Sequence, residues 1–325
     1  MTPQPYDNLI LVSGMPRSGT TWIGKIFDSH PDTIYLHEPD SHDKIKIPLA
    51  ADCRQLDHYR EVMRHWVDSL KNNTAVEVRG KLPLFSKRYL SGISTFIFNR
   101  NVEIAKIGQR FSLRFPIINV WKKSSGHGIT VWKSIQSTGR VGVLARGLDG
   151  IKIVQIIRHP AGHVASILRG RAMNKFDSSV DDDNVLKQLL ATEQARRRPE
   201  RLADLRRMSL EERQAWRWAV FNDKAIEELE GIADAMIIRY EDICRHPVRE
   251  AKKIFAFTGL PWDVQTEEFL GYSTGENREG YYSVRKKSIE VAQRWQRELT
   301  PAQVSRIMAM VAESRAGKLY REEKT

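Results

Sequence analysis

Cysteine is scarce in this sequence. Its 325 residues include two cysteines, Cys53 and Cys244, which are far apart and belong to no Cys-x-x-Cys pair or Cys/His group. This spacing indicates neither a disulfide framework nor a zinc site. Two reduced thiols lead us to expect a cytoplasmic protein.

Long apolar runs are also missing. No run of 18 apolar residues occurs, and residues 1–8 do not combine a basic segment with an apolar one. We therefore expect neither a membrane span nor a classical export signal, while peripheral association with a membrane remains open. Hydrophobic residues, 41% of the chain, suffice for a sizeable core. We expect a single domain over residues 1–325.

Acidic residues are in deficit. The chain has 40 of them against 52 Lys and Arg residues, which gives a formal net charge of +12. Such an excess favours an anionic partner, and a nucleotide, a polyanionic glycan, nucleic acid and a membrane surface all qualify. Charge alone does not choose among them.

Residues 9–27 lack one residue that their glycine pattern would lead us to expect, a lysine at position 20. The apolar start of this segment predicts a strand, Gly14 and Gly19 predict a tight loop, and the apolar spacing that follows predicts a helix. The glycines permit positive φ and close approach, so that backbone N–H groups and the helix N-terminus can converge on a phosphate or sulfate. The spacing Gly-x-x-x-x-Gly-Thr-Thr is that of a Walker A loop, but Thr20 stands where that loop has a lysine. The cation is instead Arg17, inside the loop.

Apolar, strand-like segments alternate with helical patterns along much of the chain. Such alternation predicts an α/β protein with a P-loop-like three-layer fold, in which helices flank a central parallel sheet. The predicted strands are residues 9–12, 33–36, 129–132, 151–157 and 235–239.

Four charged residues closely follow predicted strands. Ligands of parallel α/β sheets bind at the carboxyl ends of the strands. We therefore expect these four side chains to converge on one site: Arg17, Glu38, Lys133 and Arg158.

Two stretches interrupt the alternation. Residues 40–128 contain helical patterns, at 56–70 and 85–114, which predict a helical insertion covering the sheet edge or the site. Residues 174–208 are polar and rich in charge, and they predict a charged excursion from the sheet.

Further motifs accompany the glycine loop. Arg158 ends a predicted strand within the sequence Arg-His-Pro, and Ser166 follows eight residues later in a predicted helix. Tyr-Glu-Asp at 240–242 is followed by Gly-Leu-Pro at 259–261, and Arg285 lies in a basic run closer to the C-terminus.

With these motifs in this order, the chain resembles sulfotransferases that use 3′-phosphoadenosine 5′-phosphosulfate (PAPS). In that family the first loop binds the 5′-phosphosulfate, and the Arg/Ser motif binds the 3′-phosphate. The resemblance implies PAPS as co-substrate and assigns its binding to ten residues: Pro16, Arg17, Ser18, Gly19, Thr20, Thr21, Trp22, Arg158, Ser166 and Arg285.

The chemistry of sulfuryl transfer agrees with these residue types. The transferred group carries little charge compared with a γ-phosphoryl group, so that no metal ion is required, and charge builds on the departing 5′-phosphate. Fixed donors aimed at that oxygen are then the effective catalysts. Arg17 offers a forked guanidinium for it. Lys133, which matches a lysine of the family, is the candidate second cation.

The acceptor hydroxyl needs a general base. Cytosolic members of the family use a histidine at the position that is Ile135 here, so that mechanism does not transfer. Tyrosylprotein and some bacterial members use a glutamate shortly after the second strand, and Glu38 matches it. The alternative candidates are three histidines: His37, His42 and His159.

These residues predict transfer of a sulfuryl group from PAPS to a hydroxyl group, with Glu38 as base. A carbohydrate is the favoured acceptor, because the arginine-type loop and the Leu-His-Glu-Pro segment resemble carbohydrate members and a basic surface suits acidic glycans. A phenol, an alcohol or a lipid remains open as acceptor, and no specific nucleic-acid partner is expected. The rival functions are a P-loop kinase or nucleotide hydrolase, which needs a lysine at position 20, and a non-enzymatic polyanion binder.

Each candidate residue also has a purely structural interpretation. The glycine loop could be a simple turn, Glu38 could hold a neighbouring arginine, and Lys133 could be a surface lysine. Arg158 and Ser166 could be a surface arginine and a solvated helical serine.

Overall fold

Five parallel strands form the centre of the protein. The computed structural model describes residues 5–70, 72–113, 115–118, 128–173, 182–275 and 288–321. The strands are β1 (Leu9–Gly14), β2 (Thr33–His37), β3 (Ile129–Ser134), β4 (Lys152–Ile157) and β5 (Ala235–Arg239). They lie in the order β2-β3-β1-β4-β5, with β1 in the middle. The predicted P-loop-like α/β fold is confirmed, and every predicted strand is present.

Eighteen helices surround the sheet in the described ranges. None of them combines the length and the apolar character that crossing a membrane requires. In chain order they are α1 (Thr20–Ser29), α2 (Pro39–His42), α3 (Leu56–Leu70), α4 (Val76–Arg79), α5 (Gly92–Arg110), α6 (Val141–Gly147), α7 (Pro160–Ala172), α8 (Asp182–Leu190), α9 (Glu193–Arg196), α10 (Leu202–Arg207), α11 (Leu210–Leu229), α12 (Tyr240–Arg245), α13 (Pro247–Thr258), α14 (Val264–Thr274), α15 (Ser288–Gln293), α16 (Trp295–Glu298), α17 (Pro301–Val311) and α18 (Arg315–Lys318).

Helices cover both faces of the sheet. Alternate residues of β1 enter different cores: Leu11 packs with α3, α6 and α11, whereas Val12 packs with α1, α13 and α14. Because both faces are covered, the inner strands are apolar on both sides, as is usual for parallel sheets. Trp132 on β3 packs against Trp66 of α3 with ring centroids 4.5 Å apart. This contact holds α3 on the face of the sheet that carries Leu11.

Local capping sets several helix starts. At the capping box that opens α11, Ser209 Oγ accepts from the backbone N–H of Glu212, and the Glu212 carboxylate accepts from the N–H of Ser209. The amphipathic helix predicted at 56–70 is α3. The helix predicted at 85–114 is α5, which begins at Gly92 rather than at residue 85, because Ser91 supplies its N-cap.

Residues 182–207 combine a charged surface with a buried side. They form α8, α9 and α10, and Leu186, Leu189 and Leu205 are fully buried in the core that these helices share with α11. The charge that dominates this part of the sequence therefore covers only one side of these helices.

A buried carboxylate ties the end of β2 to the segment after β3. Asp40 is fully buried, and its Oδ2 accepts hydrogen bonds from Ser134 Oγ at 2.6 Å, Ser137 Oγ at 3.0 Å and Arg140 Nη2 at 3.0 Å. Arg140 is also buried and donates through Nη1 to the carbonyl oxygen of Ile47 at 2.9 Å. This network fixes the chain where it leaves β2.

Replacement of Asp40 with alanine is expected to destabilise the fold strongly. The change leaves the buried Arg140 guanidinium without its counter-charge, which should cost about 3–5 kcal/mol in the free energy of unfolding measured with urea. Asp57→Ala is the matched control, because the Asp57 carboxylate is 98% exposed and pairs only at the surface. If the two variants unfold alike, the network does not anchor this turn.

Candidate functional site

The glycine loop, residues 14–19, connects β1 to α1 in a tight turn. A Cβ on Gly14 would lie 2.8 Å from the carbonyl oxygen of Ile156, so the neighbouring strand leaves no room for a side chain. Gly19 is the N-cap of α1 and has φ of 94°, and Arg17 has φ of 72°. Since a glycine N-cap has no side chain to accept from the first helical N–H groups, those groups suit an anion. No acidic residue lies in the first turn of α1.

Tyr240 holds this loop from the side. Its ring packs so closely on Gly19 that a Cβ there would overlap the ring. The ring also meets Trp22 edge-to-face at 6.3 Å and lies 4.9 Å beneath the guanidinium of Arg158. The Tyr-Glu-Asp motif therefore contributes an aromatic support for both predicted anion-binding segments.

The two predicted anion-binding motifs meet directly. Arg17 Nε donates to Ser166 Oγ at 3.0 Å, and Arg158 Nη1 donates to the carbonyl oxygen of Arg17 at 2.9 Å. Arg158 and Ser166 are 6% and 1% exposed, which excludes a surface arginine and a solvated helical serine. Arg158 Nε and Ser18 Oγ are buried with no hydrogen-bond partner among the described residues. A bound oxyanion would satisfy such donors.

Glu38 and Lys133 form a second group. Lys133 lies within β3 with its side chain 1% exposed, and its Nζ forms an ion pair with Glu38 Oε1. The backbone N–H of Glu38 donates to the carbonyl oxygen of Lys133 at 2.8 Å. A surface lysine is thereby excluded. A Cβ on Gly24 would lie 3.2 Å from Lys133 Cγ, so this pair lies beside α1, about one turn beyond Thr20.

His37 adjoins this pair as a neutral ring. Its Nδ1 lies 3.0 Å from Tyr35 Oη, and its Nε2 lies 3.7 Å from Glu38 Oε1. Burial, together with the nearby charges of Lys133 and Lys81, lowers the pKa of His37 to about 2. Burial also lowers the pKa of Lys133, and the Glu38 carboxylate opposes that shift.

The other two histidine candidates have structural contacts of their own. His159 Nδ1 accepts from the N–H of Ala161 at 3.2 Å, its ring stacks on Trp295 at 4.5 Å, and burial lowers its pKa to about 4. His42 on α2 lies 3.3 Å from the exposed Asp43 carboxylate through Nδ1 and 3.9 Å from the Glu77 carboxylate through Nε2.

The remaining predicted residues lie in different surroundings. Pro16 is exposed, whereas Thr20 is buried in the first turn of α1. Trp22 donates through Nε1 to Ser273 Oγ at 3.1 Å. Arg285 lies outside the described residues.

One buried residue near the anion-binding motifs escaped sequence reasoning. His163 on α7 is 1% exposed, and neither ring nitrogen has a hydrogen-bond partner in the described structure. Burial and the charges of Arg158, Arg217 and Arg17 lower its pKa to about 3. In the sequence, His163 is marked only by its position one turn before Ser166. The helical pattern alone does not tell whether a residue at that position belongs to the core or to the site.

The described ranges hold no cluster of three or more His, Cys, Asp or Glu side chains suited to a metal ion.

Comparisons with known proteins agree with the motifs. Residues 10–264 match the model of a sulfotransferase family. Carbohydrate sulfotransferase 4 of Mus musculus is 21% identical over 322 residues, which are 94% of this chain and 80% of that protein. Carbohydrate sulfotransferase 3 of Mus musculus is 34% identical over 62 residues, 18% of this chain, and the match spans only 13% of that protein's length. A crystal structure of a mouse sulfotransferase complexed with PAP has a TM-score of 0.44 and 13% identity, covering 99% of this chain and 90% of that one.

Gly19→Ala should disrupt the loop more than a left-handed glycine elsewhere. Both Gly19 and Gly231 have positive φ, but a Cβ on Gly231 meets no atom within 4 Å. Gly231→Ala should therefore show only the backbone cost of about 1–2 kcal/mol in urea unfolding. Gly19→Ala should cost more, because the methyl group also displaces the Tyr240 ring. Equal losses would mean that the ring contact does not hold the loop.

Proposed function

The chain belongs to the sulfotransferase family, and we propose that it transfers a sulfuryl group from PAPS to a hydroxyl group of an acceptor. The observation that carries the proposal is the direct contact between the two anion-binding motifs. The Arg17–Ser166 hydrogen bond and the bond from Arg158 to the Arg17 carbonyl gather the loop, the N-terminus of α1 and two guanidinium groups at one end of the sheet.

The residues of this region fit the two ends of PAPS. In our proposal the loop and the first N–H groups of α1 bind the 5′-phosphosulfate, and Arg17 neutralises the oxygen that leaves. Arg158 and Ser166 bind the 3′-phosphate. The unpartnered Arg158 Nε and Ser18 Oγ support this assignment, because buried donors and hydroxyls need partners.

The transfer step uses the second group of residues. The acceptor oxygen forms a bond to sulfur while the bond from sulfur to the 5′-phosphate oxygen breaks, and the acceptor proton passes to the Glu38 carboxylate. Lys133, paired with Glu38, holds that carboxylate in place and offers a cation to the transferred group. His37 is a weaker candidate base, because a ring with a pKa of about 2 binds a proton poorly.

The rival functions lack comparable support. A P-loop kinase or nucleotide hydrolase uses a lysine where this chain has Thr20. A passive polyanion binder needs exposed cations, whereas Lys133 is buried in a specific ion pair. Within the family, we propose a carbohydrate acceptor, which rests on relatives named carbohydrate sulfotransferases at low identity and on the basic charge of the chain.

Turnover with PAPS should not depend on added divalent metal. The purified protein, incubated with labelled PAPS and a panel of glycans, phenols and lipids, should sulfate at least one acceptor with full activity in EDTA. Arg17→Ala should lower kcat about a hundredfold to a thousandfold, as for the loss of a donor to a developing charge. Arg196→Ala, at an exposed arginine on α9, is the control. ATP hydrolysis that requires Mg²⁺, without sulfation of any acceptor, would contradict the proposal.

Glu38→Gln should separate catalysis from nucleotide binding. The amide keeps the size of the side chain but cannot take the acceptor proton, so kcat should fall about a hundredfold to ten-thousandfold. Affinity for PAP, measured by calorimetry, should not change measurably. Glu77→Gln, at an exposed glutamate of α4, should behave as wild type. Unchanged turnover in Glu38→Gln would remove Glu38 as the base and make His37 the next residue to replace.

A further inference from the structure

The ring of His163 is buried without a hydrogen bond to the rest of the described structure. It lies on α7 and is 1% exposed, and neither Nδ1 nor Nε2 has a partner among the described residues. Burying a polar group in this way costs free energy, and nearly all such groups in folded proteins are bonded. A histidine kept at this cost, close to two anion-binding motifs, is a candidate ligand-binding group.

The packing of α7 turns this ring toward the anion-binding motifs. Val164 and Ala165 lie in the core that α7 shares with α11 and α17. With 3.6 residues per turn, His163 and Ser166 are neighbours on the opposite side of the helix. On that side Ser166 Oγ accepts from Arg17 Nε at 3.0 Å. His163 therefore adjoins the contact that joins the two motifs.

The charges around the ring suit an anion. The charged groups that act on the ionisation of His163 are the guanidiniums of Arg158, Arg217 and Arg17, and Arg158 has the largest effect of the three. Together with burial they lower the pKa of the ring to about 3, so that it is neutral near pH 7. A neutral imidazole still carries one N–H donor. Such surroundings repel a cationic ligand and attract an anionic one.

Gly162 leaves space beside the donor of Arg158. A Cβ on Gly162 would lie 3.2 Å from Arg158 Nε and 3.3 Å from Trp295 Cδ1, closer than ordinary contacts. Arg158 Nε is itself buried without a partner among the described residues. A side chain at position 162 would crowd this donor, one residue away from His163.

The surroundings of the ring favour the 3′-phosphate over the 5′ end of the nucleotide. In the proposed function, Arg158 and Ser166 bind the 3′-phosphate, whereas the glycine loop and the first turn of α1 bind the 5′-phosphosulfate. His163 lies one turn before Ser166, and Arg158 is the charge that acts on it most strongly. Three donors, from a guanidinium, a hydroxyl and an imidazole, suit a group with several oxygen atoms.

We propose that His163 binds the 3′-phosphate of PAPS through a ring N–H, beside Arg158 and Ser166, and thereby contributes to the preference of the site for a 3′-phosphorylated nucleotide. His163 thus joins the nucleotide site of the function proposed above, on which this assignment rests. The neutral ring adds a hydrogen bond to a site that already contains several cations, without adding a further charge that the free protein would have to bury.

Calorimetry with two nucleotides tests this contact. PAP carries the 3′-phosphate, and adenosine 5′-phosphate lacks it. His163→Leu should lose about tenfold to a hundredfold in affinity for PAP, as for one hydrogen bond to a charged acceptor. It should keep the wild-type affinity for adenosine 5′-phosphate. His163→Ala, which removes the ring without adding bulk, should show the same change in preference. A general effect on the fold would weaken the binding of both nucleotides, and the comparison cancels it.

His30→Leu is the matched control. His30 is also fully buried, but its ring is bonded: Nε2 lies 3.0 Å from the carbonyl oxygen of Pro261, and Nδ1 accepts from the N–H of Asp32 at 3.2 Å. This variant should unfold at a lower urea concentration and keep the wild-type preference for PAP. His163→Leu should show the reverse, because the free protein has no hydrogen bond to lose at that ring.

Two results would overturn the assignment of His163 alone. They are unchanged PAP affinity in both His163 variants, and equal losses for PAP and adenosine 5′-phosphate, which would give the ring a structural role or place it at the 5′ end. In either case the wild type still binds PAP, and the proposed function stands. Failure of the wild type to bind PAP would overturn both proposals, so the two failures are distinguishable.

Discussion

The guanidinium of Arg158 is the group on which the junction of the two proposed anion-binding motifs depends. It donates to the carbonyl oxygens of Arg17 and Val291 and lies over the ring of Tyr240. One side chain thus joins β4, the glycine loop, α12 and α15. Its partners are carbonyls and an aromatic face, and among the described residues no carboxylate lies within ion-pair distance of it. The arrangement gives partners to Nη1 and Nη2 but leaves Nε without one among the described residues, and it places no carboxylate in an ion pair with the guanidinium. It therefore leaves positive potential and a free donor for an anion.

Around the turn after β2, by contrast, each of two buried cations forms an ion pair with a carboxylate. Lys133 pairs with Glu38, and Arg140 pairs with Asp40 two residues further along. The turn after β2 is therefore held from two directions, by charge at Glu38 and by the hydrogen-bond network at Asp40. His37, the last residue of β2, is neutral because burial and nearby lysine charges lower its pKa, and Glu38 is therefore the base in the proposed function.

The sequence predicted those features that depend on local pattern. Apolar runs marked the strands, because strands buried on both faces have little freedom in composition, and the rule that ligands bind at strand ends selected Arg17, Glu38, Lys133 and Arg158. Contacts between distant segments could not be predicted in this way. Nothing near Gly19 announces that Tyr240 packs on it, and nothing near Asp40 announces Arg140. A lysine at a strand end normally suggests the surface, and only the structure shows Lys133 to be buried.

The distinction between the elements that the central sheet positions and the segment that surrounds them also explains why membership of the family indicates the sulfuryl donor better than the acceptor. Apart from Arg285, the residues proposed for PAPS lie in the loop between β1 and α1, in the first turn of α1, directly after β4 and on α7. The central sheet sets the positions of these elements. Glu38 lies just before the segment 40–128, whose helix α4 contacts both β2 and α5. Such a segment can change its exposed side chains without disturbing the sheet. In the proposed function, acceptor preference is therefore expected to depend on this segment, in which α5 carries exposed Ile and Phe side chains.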